Sequence, residues 1–382
     1  VEQAEKAMRT SGSRIMDPAV NAYVTEMVCR VAQSYCGDFR AYIMRVPAFN
    51  ASMYPNGMMI VWSGLLLRAD NEAQVAAVLG HEIGHYVRRH SMQRQKDMVE
   101  RSNGLAFFGI MTSAAGFGSL SDLAGLFSQM GMFAFSRENE READGWGGVL
   151  MNQAGYDARE APAIWGNILE ELEFRGIEDQ SDAFSSHPPS DERQAALIAL
   201  AERIERELEP VGRELGKQRY LDTLWAARRT FLQDEIQIGA YRSVHFLLNR
   251  MEKNGDDLRA VHFMRGEAIR VGGLKPFHGK DSKEWKDAEK LSEADRERAT
   301  FELALKSYQA AESVDDATLP DDQRATALRP MPAELYRSMG ITQRRLGDPS
   351  GAAASFARYL KEAPDAKDRP VITLMIEELS GS

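Results

Sequence analysis

The stretch VLGHEIGHYVRRH, residues 78–90, constrains this chain more than any other. It sets His81 and His85 four residues apart, with Glu82 directly after the first. On an α-helix, positions i and i+4 share one face, about 6 Å apart, so both imidazoles can reach one ion. Glu82 lies beside them, where it can receive a proton from a water on that ion. That is the physical content of H-E-x-x-H. The pattern demands a helix here. It also demands a second element, because a catalytic zinc usually takes three protein ligands and keeps one position open.

The flanks agree with a helix. Asn71 followed by Gln74 fits a capping box near DNEAQ, and Val75, Val78, Leu79, Ile83, Tyr86 and Val87 make an apolar side. Upstream, PAVNAYVTEMVCRVAQSYC has apolar residues at helical spacing. FRAYIMRV (39–46) alternates as a strand, and MMIVW (58–62) is a second short strand. Pro55, Asn56 and Gly57 lie between them as turn residues. The helix of interest therefore follows a small sheet in an α+β, mainly helical fold.

The third ligand has to come from elsewhere. A metzincin would need Gly at 88 and His at 91, where this chain has Arg88 and Ser91. His90, five residues after His85, points to another face of a continuous helix. It reads as a solvated surface residue among Arg88, Arg89 and Arg94. In SRENEREAD (136–144), Glu140 and Asp144 lie four apart on one helical face. Glu140 can ligate zinc, and Asp144 can accept the Nδ1–H of a ligand histidine and so fix its tautomer. Alone, the segment would read as a charged, solvated face, since Arg137, Glu138, Arg141 and Glu142 are charged too. With His81, Glu82 and His85 upstream, it reads as the ligating element. A purely structural site would be closed by four Cys/His ligands, and Glu82 would then have no purpose.

Residues 103–135 carry one charge, Asp122, but are rich in Gly and Ser. They read as a buried hairpin or a flap near the site rather than a membrane span, with interfacial lipid contact as a further reading. Residues 136–156 read as a helix ending near Gly155. Pro188 and Pro189 break structure, Ser190 can cap the long helix after them, and Pro210 ends it. The expected division is 1–212 and 213–382, the second part all-α. Within it, residues 332–364 place Tyr336, Gly340, Gly347, Ala352, Phe356 and Pro364 in the tetratricopeptide pattern. Ala304, Tyr308 and Ala311 repeat the spacing of Ala352, Phe356 and Tyr359, with Gly266 earlier and a polar insert at 278–298.

A formal net charge of -10 over 382 residues argues against nucleic acid as the main partner, since phosphate binding needs a dense Lys/Arg surface. The two cysteines, Cys29 and Cys36, would stand about 10.5 Å apart along one helix, too far for a disulfide. Gly37 offers a place for that helix to end; the expectation is two free, partly buried thiols. The chain begins with Val1, which reads as a processed form and says nothing against export.

HEIGH followed by SRENEREAD resembles the gluzincin family of zinc endopeptidases that includes HtpX and the CAAX prenyl proteases. FNASMYPNG upstream and SSHPPSDER downstream are similar to segments of that family. The tetratricopeptide-like tail resembles that of its soluble, periplasmic BepA-type members. The resemblance implies a zincin-like domain followed by the repeat domain, with one Zn2+ per chain. It implies ligation by His81, His85 and Glu140, Glu82 as general base and acid, and Asp144 behind a ligand histidine. His187 lies in a loop that in the BepA-like group can sit at the zinc and restrict access. It reads as a reversible fourth ligand, an oxyanion donor, or a histidine capping a helix. Arg193 would orient a carboxylate or substrate.

The implied function is an endopeptidase that removes misfolded or stalled cell-envelope proteins, in the periplasm. Its repeat domain would dock substrates or outer-membrane assembly components, and peripheral membrane contact is compatible with this reading. The alternative is a chaperone-like assembly factor with a latent, gated zinc site.

Overall fold

A computed structural model of the chain describes residues 2–90, 92–93, 135–176, 190–208, 211–314 and 331–380. The chain divides into two compact units, Val1–Phe231 and Leu232–Ser382. Helix α8 (Lys217–Gln237) runs through that division, and the boundary expected at 212/213 falls just before it.

The first unit is built on three strands: β1 (Arg40–Met44), β2 (Ala51–Met53) and β3 (Met58–Trp62), in the order β1-β3-β2. β1 runs parallel to β3, pairing Arg40 with Met58 and Met44 with Trp62. β2 is antiparallel to β3, pairing Ala51 with Val61 and Met53 with Met59. All five residues of the central strand are buried. That is why MMIVW reads as a continuous apolar run rather than an alternation. Met8 of α1 (Glu2–Thr10) joins Tyr42, Met44, Met58, Ile60 and Trp62 in one core cluster. Helix α2 (Pro18–Ala32) packs against β1, and α4 (Glu72–Val87) against β2.

Helix α3 (Ser63–Arg68) follows β3 directly. Its buried Arg68 pairs bidentately with Glu171 of α6 (Glu160–Arg175), at 2.7 and 2.9 Å. The pairing satisfies both charges and ties the strand end to the helical layer. Helices α5 (Arg137–Gln153) and α7 (Asp191–Glu207) complete the surroundings of α4 and α6.

The cysteine expectation is overturned. Cys29 and Cys36 form a disulfide with a Cα–Cα distance of 4.5 Å. Helix α2 stops at Ala32, and Gln33 takes φ 54°. A 3-10 helix, Gln33–Asp38, then folds the chain back. The long axial separation applied only to a helix that continued.

The second unit contains α9 (Tyr241–Lys253), α10 (Leu258–Gly272), the short α11 (Leu274–His278) and α12 (Lys283–Ala288), and α13 (Glu293–Glu312). It ends with α14 (Glu334–Leu346), α15 (Pro349–Glu362) and α16 (Arg369–Ser380). Neighbours in sequence pack on one another: α9 on α10, α13 on α14, α14 on α15, α15 on α16. The polar insert is partly structured: α12 lies within it, anchored by buried Trp285. Among the described residues no helix is long and apolar enough to cross a membrane. Residues 103–134 lie outside the described residues.

Candidate metal centre

Helix α4 starts where its cap predicts. The Asn71 side chain accepts from Gln74 N–H at 2.9 Å, while Gln74 Oε1 accepts from Asp70 N–H at 2.8 Å. From Glu72 to His85 every residue is buried. The helix is amphipathic in sequence but enclosed on all sides by β2, α2, α5 and α6.

Two pairs of small residues let α5 approach α4 closely. A Cβ added to Gly84 would stand 2.8 Å from the Ala143 carbonyl oxygen and 3.0 Å from its Cα. One added to Gly80 would stand 2.9 Å from the Gly147 oxygen, and one on Gly147 2.7 Å from the His81 nitrogen. Gly80 and Gly84 are four apart, as are Ala143 and Gly147, so each pair forms one face of its helix. These faces in contact turn Glu140 and Asp144 toward HEIGH. The carboxylates are buried, whereas Arg137 and Arg141 of the same helix stay exposed.

The donor atoms converge. His81 Nε2 and His85 Nε2 are 3.0 Å apart, and Glu140 oxygens stand 3.5 and 3.3 Å from them respectively. All three residues offer ligand atoms within 4.8 Å of one another. A tetrahedral ion with bonds of 2.0–2.2 Å would hold its ligand atoms about 3.3–3.6 Å apart. The separations and the nitrogen–carboxylate donor set therefore fit a zinc-like divalent ion.

Outer contacts orient these groups. His81 Nδ1 lies 2.7 Å from Asp144 Oδ1. Arg193 donates to both Asp144 oxygens, at 3.0 and 2.7 Å, and stands 3.0 Å from Glu140 Oε2. Its guanidinium lies over the Trp165 ring, 4.1 Å from the centroid. Burial pushes the Asp144 carboxyl up, but Arg193 and His81 outweigh it and hold its pKa at about 2. Asp144 is thus an anion at neutral pH. Ser190 caps α7 as expected, accepting from Arg193 N–H at 3.1 Å, which sets Arg193 at the start of the helix.

Glu82 is buried, and its Oε2 accepts from the Met53 N–H at 3.0 Å. The carboxylate is tied to edge strand β2. His187 lies outside the described residues.

His90 corrects the sequence reading. It is wholly buried, not solvated. Its Nδ1 stands 2.9 Å from His85 Nδ1 and its Nε2 2.9 Å from Glu142 Oε2. Helix α4 ends at Val87, and Arg89 takes φ 57°. That left-handed residue turns the chain back under His85, so helical spacing no longer applies. No local sequence signal announces it, because arginine at positive φ is uncommon. The small-residue faces, by contrast, were visible as Gly-x-x-x-Gly and Ala-x-x-x-Gly.

An enclosed H-E-x-x-H helix joined by a glutamate from a neighbouring helix defines the class: a metallopeptidase domain. Residues 15–201 match the family model for Peptidase family M48. Residues 296–377 match the tetratricopeptide repeat. The chain is 30% identical over 202 residues to the "Beta-barrel assembly-enhancing protease" of Yersinia pestis, covering 49% of this chain and 40% of that protein. It is 34% identical over 172 residues to "Mitochondrial metalloendopeptidase OMA1" of Arabidopsis thaliana, covering 45% and 33%. It is 34% identical over 149 residues to "Metalloprotease LoiP" of Escherichia coli K12, covering 38% and 55%. The matches thus span well under two thirds of each relative.

Proposed function

We propose that this chain is a zinc-dependent endopeptidase of cell-envelope protein quality control, acting on unfolded or misfolded protein segments. The convergence of His81 Nε2, His85 Nε2 and the Glu140 carboxylate beside Glu82 carries this reading. His81, His85 and Glu140 would hold one zinc, with Asp144 and Arg193 positioning His81 and Glu140. Bound there, zinc supplies Lewis acidity toward a water and a peptide carbonyl.

Glu82 accepts the proton of the attacking water at its carboxylate and later delivers it to the leaving amine. Strand β2 is the sheet edge beside it. Asn50 and Tyr54 spend backbone groups on β3: Trp62 N–H donates to Asn50 O and Tyr54 N–H to Met58 O. The alternate residues Ala51 and Met53 face the other way, as antiparallel pairing requires. Met53 N–H there meets Glu82. An extended peptide adding to that edge would lie along the general base, which favours unfolded chains over compact surfaces.

The repeat domain would dock substrates or outer-membrane assembly components; the name of the Yersinia relative supports that direction. A periplasmic site fits the Cys29–Cys36 disulfide, since disulfides persist in oxidising compartments. His187 would act as a reversible fourth ligand or as an oxyanion donor, with helix capping the remaining reading.

The test is cleavage of casein by the zinc-loaded parent and by Glu82→Gln, with zinc content measured in both. The parent should cut, and Glu82→Gln should hold zinc yet lose at least about 10²-fold in rate. If neither cuts while both hold zinc, the chain is a gated assembly factor instead.

A further inference from the structure

The two histidines of the centre are supported unequally. His81 passes its Nδ1 contact directly to a carboxylate, Asp144. His85 Nδ1 meets another imidazole, that of His90, which in turn meets a carboxylate, Glu142. Asp144 and Glu142 both belong to α5, so both lines of contact end on the helix that carries Glu140.

We infer that His90, held by Glu142, is a positioning residue for His85, completing a chain of imidazole, imidazole and carboxylate that fixes how His85 faces the metal. The inference rests on the zinc reading above. With Nε2 turned to a metal, His85 carries its proton on Nδ1 and donates it to His90 Nδ1. His90 then carries its own proton on Nε2 and donates to the Glu142 carboxylate. Each nitrogen and the terminal oxygen has a role in this order, with no charge placed on either ring.

Four observations support a built arrangement rather than a chance contact. His90 is wholly buried, and buried polar groups are held by specific hydrogen bonds. Arg88 pairs with the other Glu142 oxygen, which fixes the carboxylate facing His90. Arg89 adopts φ 57° between them, a conformation that costs a non-glycine residue roughly 1–2 kcal/mol. That turn brings His90 to both His85 and Glu142. Phe135 stacks on the His85 ring, with centroids 4.0 Å apart, and closes another side.

Partners of this kind act on metal affinity and on ligand orientation, so both are the readouts. Zinc dissociation constants would be measured by chelator competition in the full chain, for the parent, His90→Leu, His90→Asn and Glu142→Gln. Visible spectra of the cobalt-substituted proteins would be recorded beside them. His90→Leu keeps bulk but accepts nothing from His85, and should weaken zinc about 10–100-fold and shift the cobalt bands. His90→Asn places an acceptor oxygen where Nδ1 stood, and should recover most of the affinity and the parent spectrum. Glu142→Gln, at a half-buried position that leaves the core untouched, should weaken zinc by a smaller factor.

Equal affinity in the parent and His90→Leu would overturn the inference while leaving the zinc site standing. So would equal loss in His90→Leu and His90→Asn, because an acceptor for the His85 Nδ1–H would then not be what the position supplies. A parent that binds no zinc would overturn both this inference and the proposed function.

Discussion

Glycine brings helices together in both units of this protein, but against different surfaces. In the first unit, Gly80, Gly84 and Gly147 meet backbone: the nearest atoms to their missing side chains belong to Gly147, Ala143 and His81 main chain. In the second unit, Gly266 faces the ring of Tyr308, and Gly340 the ring of Phe356, at 2.3 and 2.6 Å from an added Cβ. The first arrangement draws two backbones close enough for ligands from both to share one point. The second makes a socket for an aromatic side chain and can be repeated along a stack. The Tyr308 and Phe356 pairs are the same device twice, which is why Ala304, Tyr308 and Ala311 match Ala352, Phe356 and Tyr359 in burial as well as spacing.

The difference can be broken at its rigid end first. In Gly147→Val the added atoms meet main chain that cannot rotate away. The helices must separate, stability should fall by ~3 kcal/mol, and bound zinc should drop well below the parent level. Denaturant titration and metal analysis would check this. A variant that kept full zinc would show that the close approach does not build the site.

Gly340→Ala should be milder, because the Phe356 ring can give. We expect a loss of about 2 kcal/mol, with zinc content unchanged. The double variant Gly340→Ala/Phe356→Leu should recover part of the loss, a coupling that a double-mutant cycle would measure. No coupling would mean that the ring socket is not the source of the effect.

The smallest effect is the response to acid, which also separates the units. In the first, Glu5 accepts from Arg40, Tyr42 and Asn56, and chiefly the Arg40 bonds hold its carboxyl at about 2. A depressed carboxylate stabilises fully above about pH 4.5 and loses that contribution as pH falls through about 2. In the second, burial pushes His245 down to about 4. The unfolded chain takes that proton first, so stability falls as pH drops from about 6.5 toward 4. Melting temperatures against pH should therefore flatten in the lower window for Glu5→Gln and in the upper window for His245→Asn. Identical slopes to the parent in both would remove the distinction.

Much of the site could be read in advance because its parts are local. The i, i+4 spacing of His81 and His85, the Asn71 cap and the Glu140–Asp144 pair are all properties of single helices. The strand at 58–62 and the Ser190 cap of α7 are local in the same sense. Arg193 was expected near a carboxylate; only the fold shows that it spans Asp144 and Glu140 and rests on Trp165.

What escaped sequence reading shares one physical cause. Gln33 and Arg89 take positive φ without being glycine, and each redirects the residues after it. The first turn joins Cys29 to Cys36; the second buries His90 beneath His85. Neither conformation is a preference of its residue, so neither can be inferred from spacing. The sequence alone determined which groups could bind a metal and on which helical faces they stand, because helical periodicity follows from backbone geometry. Only the tertiary structure decided that those faces meet, and which groups stand behind the ligands. Those contacts depend on helix approach and on strained turns that the surrounding packing enforces.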